Sequence, residues 1–119
     1  MKIIISSFAD RGLIDKERIV LKVLQSTDLG DYALLRSSID GGSATSGKKD
    51  AYWLPNLDVT EGDLIVIYSK VGADSSKSLA SGRKAYFYYW GFSVALWSSE
   101  SFGAVLLEAP NWVAKPASG

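Results

Sequence analysis

The carboxylates are the residues of this chain best suited to acid–base or metal chemistry. They form two groups that are close in sequence, Asp58, Glu61 and Asp63 in one and Asp10, Asp15 and Glu17 in the other. Paired carboxylates can serve a glycan hydrolase as acid and nucleophile, and they can also bind Ca²⁺ or Mg²⁺. Because Glu-Gly-Asp before an apolar run is also ordinary turn chemistry for a β-hairpin, we favour structural roles for both groups.

The sequence contains no His and no Cys among its 119 residues. This excludes a Ser-His-Asp triad, a His-ligated metal, a thiolate nucleophile and a disulfide. Carboxylates and aromatic side chains are the functional groups that remain. We therefore predict a protein that is not an enzyme, with no cofactor, no metal ion and no catalytic residues.

Two short matches to catalytic motifs are coincidental in their context. Residues 42–49 fit the phosphate-binding pattern G-x-x-x-x-G-K, but Lys49 stands where Ser or Thr must contact Mg²⁺. The residues that follow predict a strand, whereas a phosphate-binding loop requires the N-terminus of a helix. Residues 81–84 fit S-x-x-K, but they lie in a predicted loop with no partner motif.

The aromatic run within residues 85–90 is the feature most suggestive of a binding site. On a strand, Tyr86, Tyr88 and Trp90 share one face, whereas Phe87 and Tyr89 share the other. One set is expected in the core, while an exposed set beside basic residues would resemble a stacking platform. Burial of both faces is the alternative. The candidate binding surface comprises Trp53, Lys70, Arg83, Lys84, Tyr86, Tyr88 and Trp90.

The distribution of apolar residues predicts an all-β fold. Hydrophobic residues make up 47% of the chain, in short runs broken by Gly, Ser, Asp and Asn. We predict about eight short strands, at residues 3–8, 17–24, 32–36, 51–54, 64–68, 85–90, 94–97 and 102–107. Residues 37–50 and 71–84 are predicted mobile loops and residues 113–119 a tail. Regularly spaced short strands in a single domain of residues 1–119 favour a β-sandwich over a barrel.

Several segments in order resemble a bacterial lamin-tail-like domain. They are residues 16–23 and 28–34, Tyr-Trp-Leu-Pro at 52–55 followed by 61–68, Leu-Trp at 96–97, and 103–107. The chain is also similar to short bacterial proteins of no assigned activity with Tyr-Trp-x-Pro, Gly-Asp and Tyr-Trp-Gly segments. The resemblance implies an immunoglobulin-like β-sandwich that acts as an interaction module and carries no catalytic residues.

Charge and hydropathy narrow the expected partners. The 13 Lys and Arg balance the 13 Asp and Glu, which disfavours nucleic acid as a general partner although it stays an alternative. No secretory signal and no membrane span are visible, so we expect a cytoplasmic protein. We predict a non-enzymatic binding module for a protein partner and leave its oligomeric state open. The alternatives are a structural subunit of an oligomeric assembly and a carboxylate-based glycan-active hydrolase.

Overall fold

The computed structural model describes residues 1–118, and the all-β prediction is confirmed for them. Gly119, the last residue of the predicted tail, lies outside this range. One 3₁₀ helix spans Leu29–Asp31, and no helix of the described chain is long and apolar enough to cross a membrane. The strands are β1 (Ile3–Ala9), β2 (Arg18–Val23), β3 (Thr27–Asp28), β4 (Tyr32–Asp40), β5 (Ser43–Ala44), β6 (Asp50–Trp53), β7 (Asp58–Val59), β8 (Leu64–Tyr68), β9 (Ser75–Ser78), β10 (Lys84–Tyr89) and β11 (Phe102–Glu108).

Two larger sheets share one hydrophobic core. The first has the order β1-β2-β8-β10-β9, and the second has β4 in its centre, with β11 on one side and β5 and β6 on the other. Strands β3 and β7 form a separate short pair. Strands β8 and β10 are parallel, and the other pairs are antiparallel. The arrangement is consistent with a β-sandwich, and its sheets do not close into a barrel.

The alternation of side chains along the central strands accounts for the core. Ile19, Leu21 and Val23 of β2 are fully buried, whereas Arg18 and Lys22 point to the opposite face. Ile65 and Ile67 of β8 lie beside them in register, and Tyr32 and Leu34 of β4 meet them from the second sheet. This two-residue period was visible in the sequence and placed these apolar residues inside.

The polar segments that the sequence predicted as loops contain strands. Strand β4 continues to Asp40 because its backbone pairs with β11 and then with β5. Strand β9 is an exposed edge strand, and its serine-rich residues pair with β10. Backbone pairing at a sheet edge needs no apolar side chains, so composition alone did not reveal these strands. The mobility of residues 37–50 and 71–84 stays a prediction.

Tyr88 lies in the core between the sheets, where its ring is 6.4 Å from that of Tyr52. Burial first, and then the nearby Asp74, Tyr52 and Tyr86, raise the pKa of Tyr88 from 10.0 to about 12. In the unfolded chain this hydroxyl loses its proton at lower pH than in the folded chain, so deprotonation favours unfolding. We expect the free energy of unfolding to fall as the pH rises from 10 to about 12. In urea unfolding across that pH range, the free energy of unfolding should fall less steeply in Tyr88→Phe than in the wild type. The same slope in both proteins would contradict a raised pKa at Tyr88.

Candidate functional site

Glu17 was a candidate acid or base, but the structure gives its carboxylate a structural role. The side chain is fully buried. Oε1 accepts hydrogen bonds from the backbone N–H groups of Gly12 at 2.9 Å and Trp97 at 3.0 Å. Oε2 accepts them from the N–H of Leu96 at 2.7 Å and the hydroxyl of Ser69 at 2.5 Å. Burial raises the pKa of Glu17, but the hydrogen bonds together outweigh it and the pKa lies below its ordinary value.

The segment around Leu96 and Trp97 was predicted as a strand, and this prediction is wrong. Its N–H groups bond to Glu17 instead of to a neighbouring strand. The carbonyl oxygens are also satisfied by side chains, that of Leu96 by Arg36 Nε at 2.9 Å and that of Trp97 by Arg11 Nε at 2.8 Å. Charged side chains from distant parts of the sequence therefore replace the strand partner that this segment lacks.

The acidic turn before β8 is likewise organised around the backbone. Asp63 is buried, and its Oδ2 accepts from the N–H of Thr60 at 2.9 Å, while Oδ1 accepts from the N–H of Lys84 at 3.0 Å. Asp58 and Glu61 are exposed. Within residues 1–118, no group of three or more acidic side chains is arranged to hold a metal ion.

Three of the four aromatic residues of the candidate binding surface face the core. Tyr88 is 6% exposed, and Tyr86 and Trp90 are half-buried and pack against the core residues. The reason is the register of β10 on β8, which aligns Tyr86 and Tyr88 with the core residues Ile65 and Ile67. Tyr88 therefore lies inside the protein and offers almost no surface to a partner.

The basic half of that surface is divided between the two ends of a strand pair. Because β8 and β10 are parallel, Lys70 follows the end of β8 while Arg83 and Lys84 lie at the start of β10. Five residues of strand separate these ends by roughly 17 Å. The side chain of Arg83 lies against Gly62 in the turn before β8. The structure does not bring the three cations together.

Tyr68 and Tyr89, on the outer face of the five-stranded sheet, are already covered by the protein. Their rings stack with centroids 5.2 Å apart and planes 11° apart. The cations of Lys70 and Arg18 lie 5.4 and 5.9 Å from the centre of the Tyr68 ring. Gly72 approaches the Tyr89 ring so closely that a Cβ at this position would collide with it. Little ring face remains for a nucleotide base to stack on.

Trp53 lies on a different and more exposed surface, the outer face of the four-stranded sheet. The strand register places it in a row with Ala33 and Leu107, beside a second row of Val105, Leu35 and Ala51. We call these six residues the Trp53 face. It carries no charged side chain, and Trp53 and Leu107 are 54% and 43% exposed. An apolar, aromatic area on a sheet face is typical of an interaction surface.

Trp112 extends the Trp53 face from the segment after β11. The two indole rings meet edge to face, with centroids 4.9 Å apart and planes 89° apart, and Trp112 is 64% exposed. Trp53 Nε1 donates a hydrogen bond to the carbonyl oxygen of Gly30 at 2.8 Å. The two rings line a pocket of about 200 Å³, which we call the indole pocket; its other lining residues are Asp31, Tyr32, Ala33 and Ala109.

Sequence reasoning identified Trp53 but not the residues around it. A lone tryptophan in a C-terminal segment with few other large apolar residues was the signal available for Trp112, since such a segment has little else to bury. No local pattern connects Asp31 or Leu107 with Trp53, because strand pairing alone brings them together.

A larger groove of about 350 Å³ lies between the edge strands β1 and β11. Ile5, Phe8 and Phe102 line it together with Arg11. Arg11 bonds to the carbonyl oxygen of Trp97, and Arg36 covers the Phe102 ring at 3.7 Å while bonding to Leu96. The arginines at this groove are thus engaged in holding the segment around residues 96–97.

Comparison of the chain with family models, curated proteins and solved structures found no match in any of the three.

Proposed function

We propose that this chain is a non-enzymatic interaction module that docks a partner protein on the Trp53 face. The observation that carries the proposal is the pair of exposed and half-buried apolar rows across β11, β4 and β6, with Trp53 at one end. Tryptophan is enriched among the residues that dominate binding energy in protein interfaces, and charged residues are depleted from interface centres. The uncharged Trp53 face has this composition.

We also propose that the fold is an immunoglobulin-like, lamin-tail-like domain. Two sheets that share a core and a central antiparallel pairing of β2 with β8 support it. The parallel pairing of β8 with β10 departs from the antiparallel sheets of immunoglobulin domains. A cytoplasmic setting belongs to the same proposal and rests on the sequence.

A structural subunit is the second candidate function, and one observation favours it. Strand β11 is a seven-residue edge strand whose only charged residue is Glu108 at its end. Edge strands that lack charges, prolines or bulges are prone to pair with another chain. A second copy of the protein could then occupy the side of the sheet next to the Trp53 face.

Replacement of Leu107 with Lys is expected to weaken docking without unfolding the protein. A charge placed in an apolar interface must be desolvated on binding, so we expect capture to weaken by about tenfold or more. The melting temperature should barely change because Leu107 is 43% exposed. Quantitative cross-linking capture from a lysate of the source organism measures the first effect, and light scattering of the purified chain reports self-association.

The matched control is Val71→Lys, which adds the same charge at a position that is 74% exposed and outside the Trp53 face. The proposal requires a species that the wild type and this control capture equally well and that Leu107→Lys captures much more weakly. If Leu107→Lys captures the same species as the control does, the Trp53 face is not the docking surface. Self-association lost in Leu107→Lys alone would identify the partner as a second copy of the chain.

A further inference from the structure

The indole pocket is suited to a small group and not to a whole ligand. Its volume of about 200 Å³ is below the roughly 300–1,000 Å³ of pockets that enclose drug-sized molecules. Two perpendicular indoles form adjoining walls, and two of the lining residues, Trp53 and Ala33, belong to the Trp53 face. A partner could insert the end of one side chain here while its surface covers the neighbouring apolar rows.

Trp53 is held in place before any ligand binds, and the segment that carries Trp112 is anchored to the sheet. Trp53 is fixed through its hydrogen bond to Gly30, and Gly30 packs so tightly against Asn56 that a Cβ there would collide. The segment that carries Trp112 is tied to the sheet where the N–H of Ala109 donates to the carbonyl oxygen of Asp31 at 2.7 Å. Preorganised groups lose less conformational entropy on binding, so such a pocket can bind a small group.

The electrostatics of the indole pocket favour a cation. Asp31 is the one charged residue that lines it. The faces of indole rings attract cations, and tryptophan does so most strongly among the aromatic side chains. The strands of the surrounding sheet carry Asp40, Asp50 and Glu108 against Arg36 alone, so their charge has the same sign as Asp31.

We propose that the indole pocket binds a methylated ammonium group, such as a methylated lysine side chain or a quaternary ammonium compound. An unmodified ammonium is compact and strongly hydrated, so entry into a mainly apolar pocket would cost it hydration. Methyl groups spread the charge over an apolar surface that contacts the indole rings, and Asp31 balances the charge. The inference rests on the proposed docking function, because the Trp53 face would position the partner that presents this group.

A titration with choline tests the proposal on the full chain at constant chloride concentration. The readout is the chemical shift of the indole N–H signals, with Trp112 assigned through Trp112→Phe. We expect saturable shifts at Trp53 and Trp112. The uncharged isostere of choline, in which a tert-butyl group replaces the trimethylammonium, should bind about tenfold more weakly if the cation–π interaction contributes as it does in desolvated sites. Equal binding of the two compounds would show a merely apolar pocket and overturn the proposal.

Two pairs of variants separate the contributions to choline binding. Asp31→Asn should weaken choline binding about threefold to tenfold, whereas Asp40→Asn, on the same sheet but outside the pocket lining, should not. Trp112→Phe should retain part of the affinity that Trp112→Leu loses, because the leucine has no aromatic face. Equal affinity in all four variants would contradict a site at this pocket.

Failure of this proposal is distinguishable from failure of the docking function. Leu107 does not line the indole pocket, and choline binding is measured on chains that keep Leu107, so Leu107→Lys enters only the docking test. Absence of choline binding together with loss of capture in Leu107→Lys would overturn the ligand assignment alone. Choline binding with capture that is insensitive to Leu107→Lys would overturn the docking function.

Discussion

Glu17→Gln is expected to destabilise the protein by about 3 kcal/mol or more, because it mismatches a fully buried set of hydrogen bonds. One oxygen of the carboxylate becomes an NH₂ group, which cannot accept from the donors that now face it. With the amide oriented to keep Gly12 and Trp97, for example, the N–H of Leu96 and the hydroxyl of Ser69 lose their acceptor. The free energy of unfolding in urea measures the loss, and Asp15→Asn in the same turn is the exposed control.

Glu17→Gln should also loosen the segment around residues 96–97, because the N–H groups of Leu96 and Trp97 both donate hydrogen bonds to the Glu17 carboxylate. Hydrogen exchange at Leu96 and Trp97 is therefore expected to accelerate in Glu17→Gln more than exchange in the centre of β8 does. If Glu17→Gln unfolds at the same urea concentration as Asp15→Asn, the carboxylate does not stabilise the fold.

The hydrogen bonds of Glu17 also make the stability of the protein fall at acid pH. The folded protein lowers the pKa of Glu17 below the ordinary value of 4.5, so the unfolded chain binds the proton more tightly. The stabilisation is fully present above pH 4.5 and is lost as the pH falls through the lower, folded pKa. The acid limb of the stability curve should accordingly be shallower in Glu17→Gln than in the wild type.

Tyr88→Ala is expected to cost about 3–5 kcal/mol of stability, the range found when large core aromatics are truncated. Tyr88 packs between the two sheets with Tyr52, and its removal leaves a cavity that the strands on either side cannot easily fill. The neighbouring Tyr89 is the matched control, because it has the same side chain on the opposite, half-buried face. Tyr89→Ala should lose its stacking with Tyr68 and cost roughly 1–2 kcal/mol.

Urea unfolding of the two alanine variants separates the alternatives for the aromatic strand. A larger loss in Tyr88→Ala than in Tyr89→Ala supports the arrangement in which Tyr86 and Tyr88 face the core. Equal losses would mean that both faces of β10 are buried, and reversed losses would mean that β10 presents its other face to the core. Such a result would also contradict the Trp53 face. The contact of Tyr52 with Tyr88 places Tyr52 on the inner face of β6, and the next residue, Trp53, therefore lies on the outer face.

The strands with the clearest two-residue period could be predicted from the sequence. Ile19, Leu21 and Val23 alternate with Arg18 and Lys22, and the structure buries the first set and not the second. The division of residues 86–90 into two faces was also predicted, but the sequence could not say which face is inside. Both sets are aromatic, and the register of β10 on β8 makes the choice.

At the candidate site, too, the sequence predicted one residue but not the residues that strand pairing brings near it. Trp53 was predicted as a binding residue, whereas Trp112, Asp31 and Leu107 were not. These residues meet through the pairing of β4 with β6 and β11, and β11 lies more than sixty residues after β4 in the chain. Pairing across such distances in sequence depends on the whole chain, so local composition does not predict it.

The sequence by itself determined that this protein is all-β and that it lacks imidazole and thiol chemistry, and it indicated aromatic side chains as the candidate binding residues. These conclusions follow from residue types and short-range alternation, which do not depend on the rest of the fold. The tertiary structure alone decided that Glu17 supports a distant backbone segment and that the candidate cations lie at opposite ends of a strand pair. It also placed Trp53 beside Trp112. Buried hydrogen bonds and strand register join residues far apart in sequence, and only the folded chain brings them into contact.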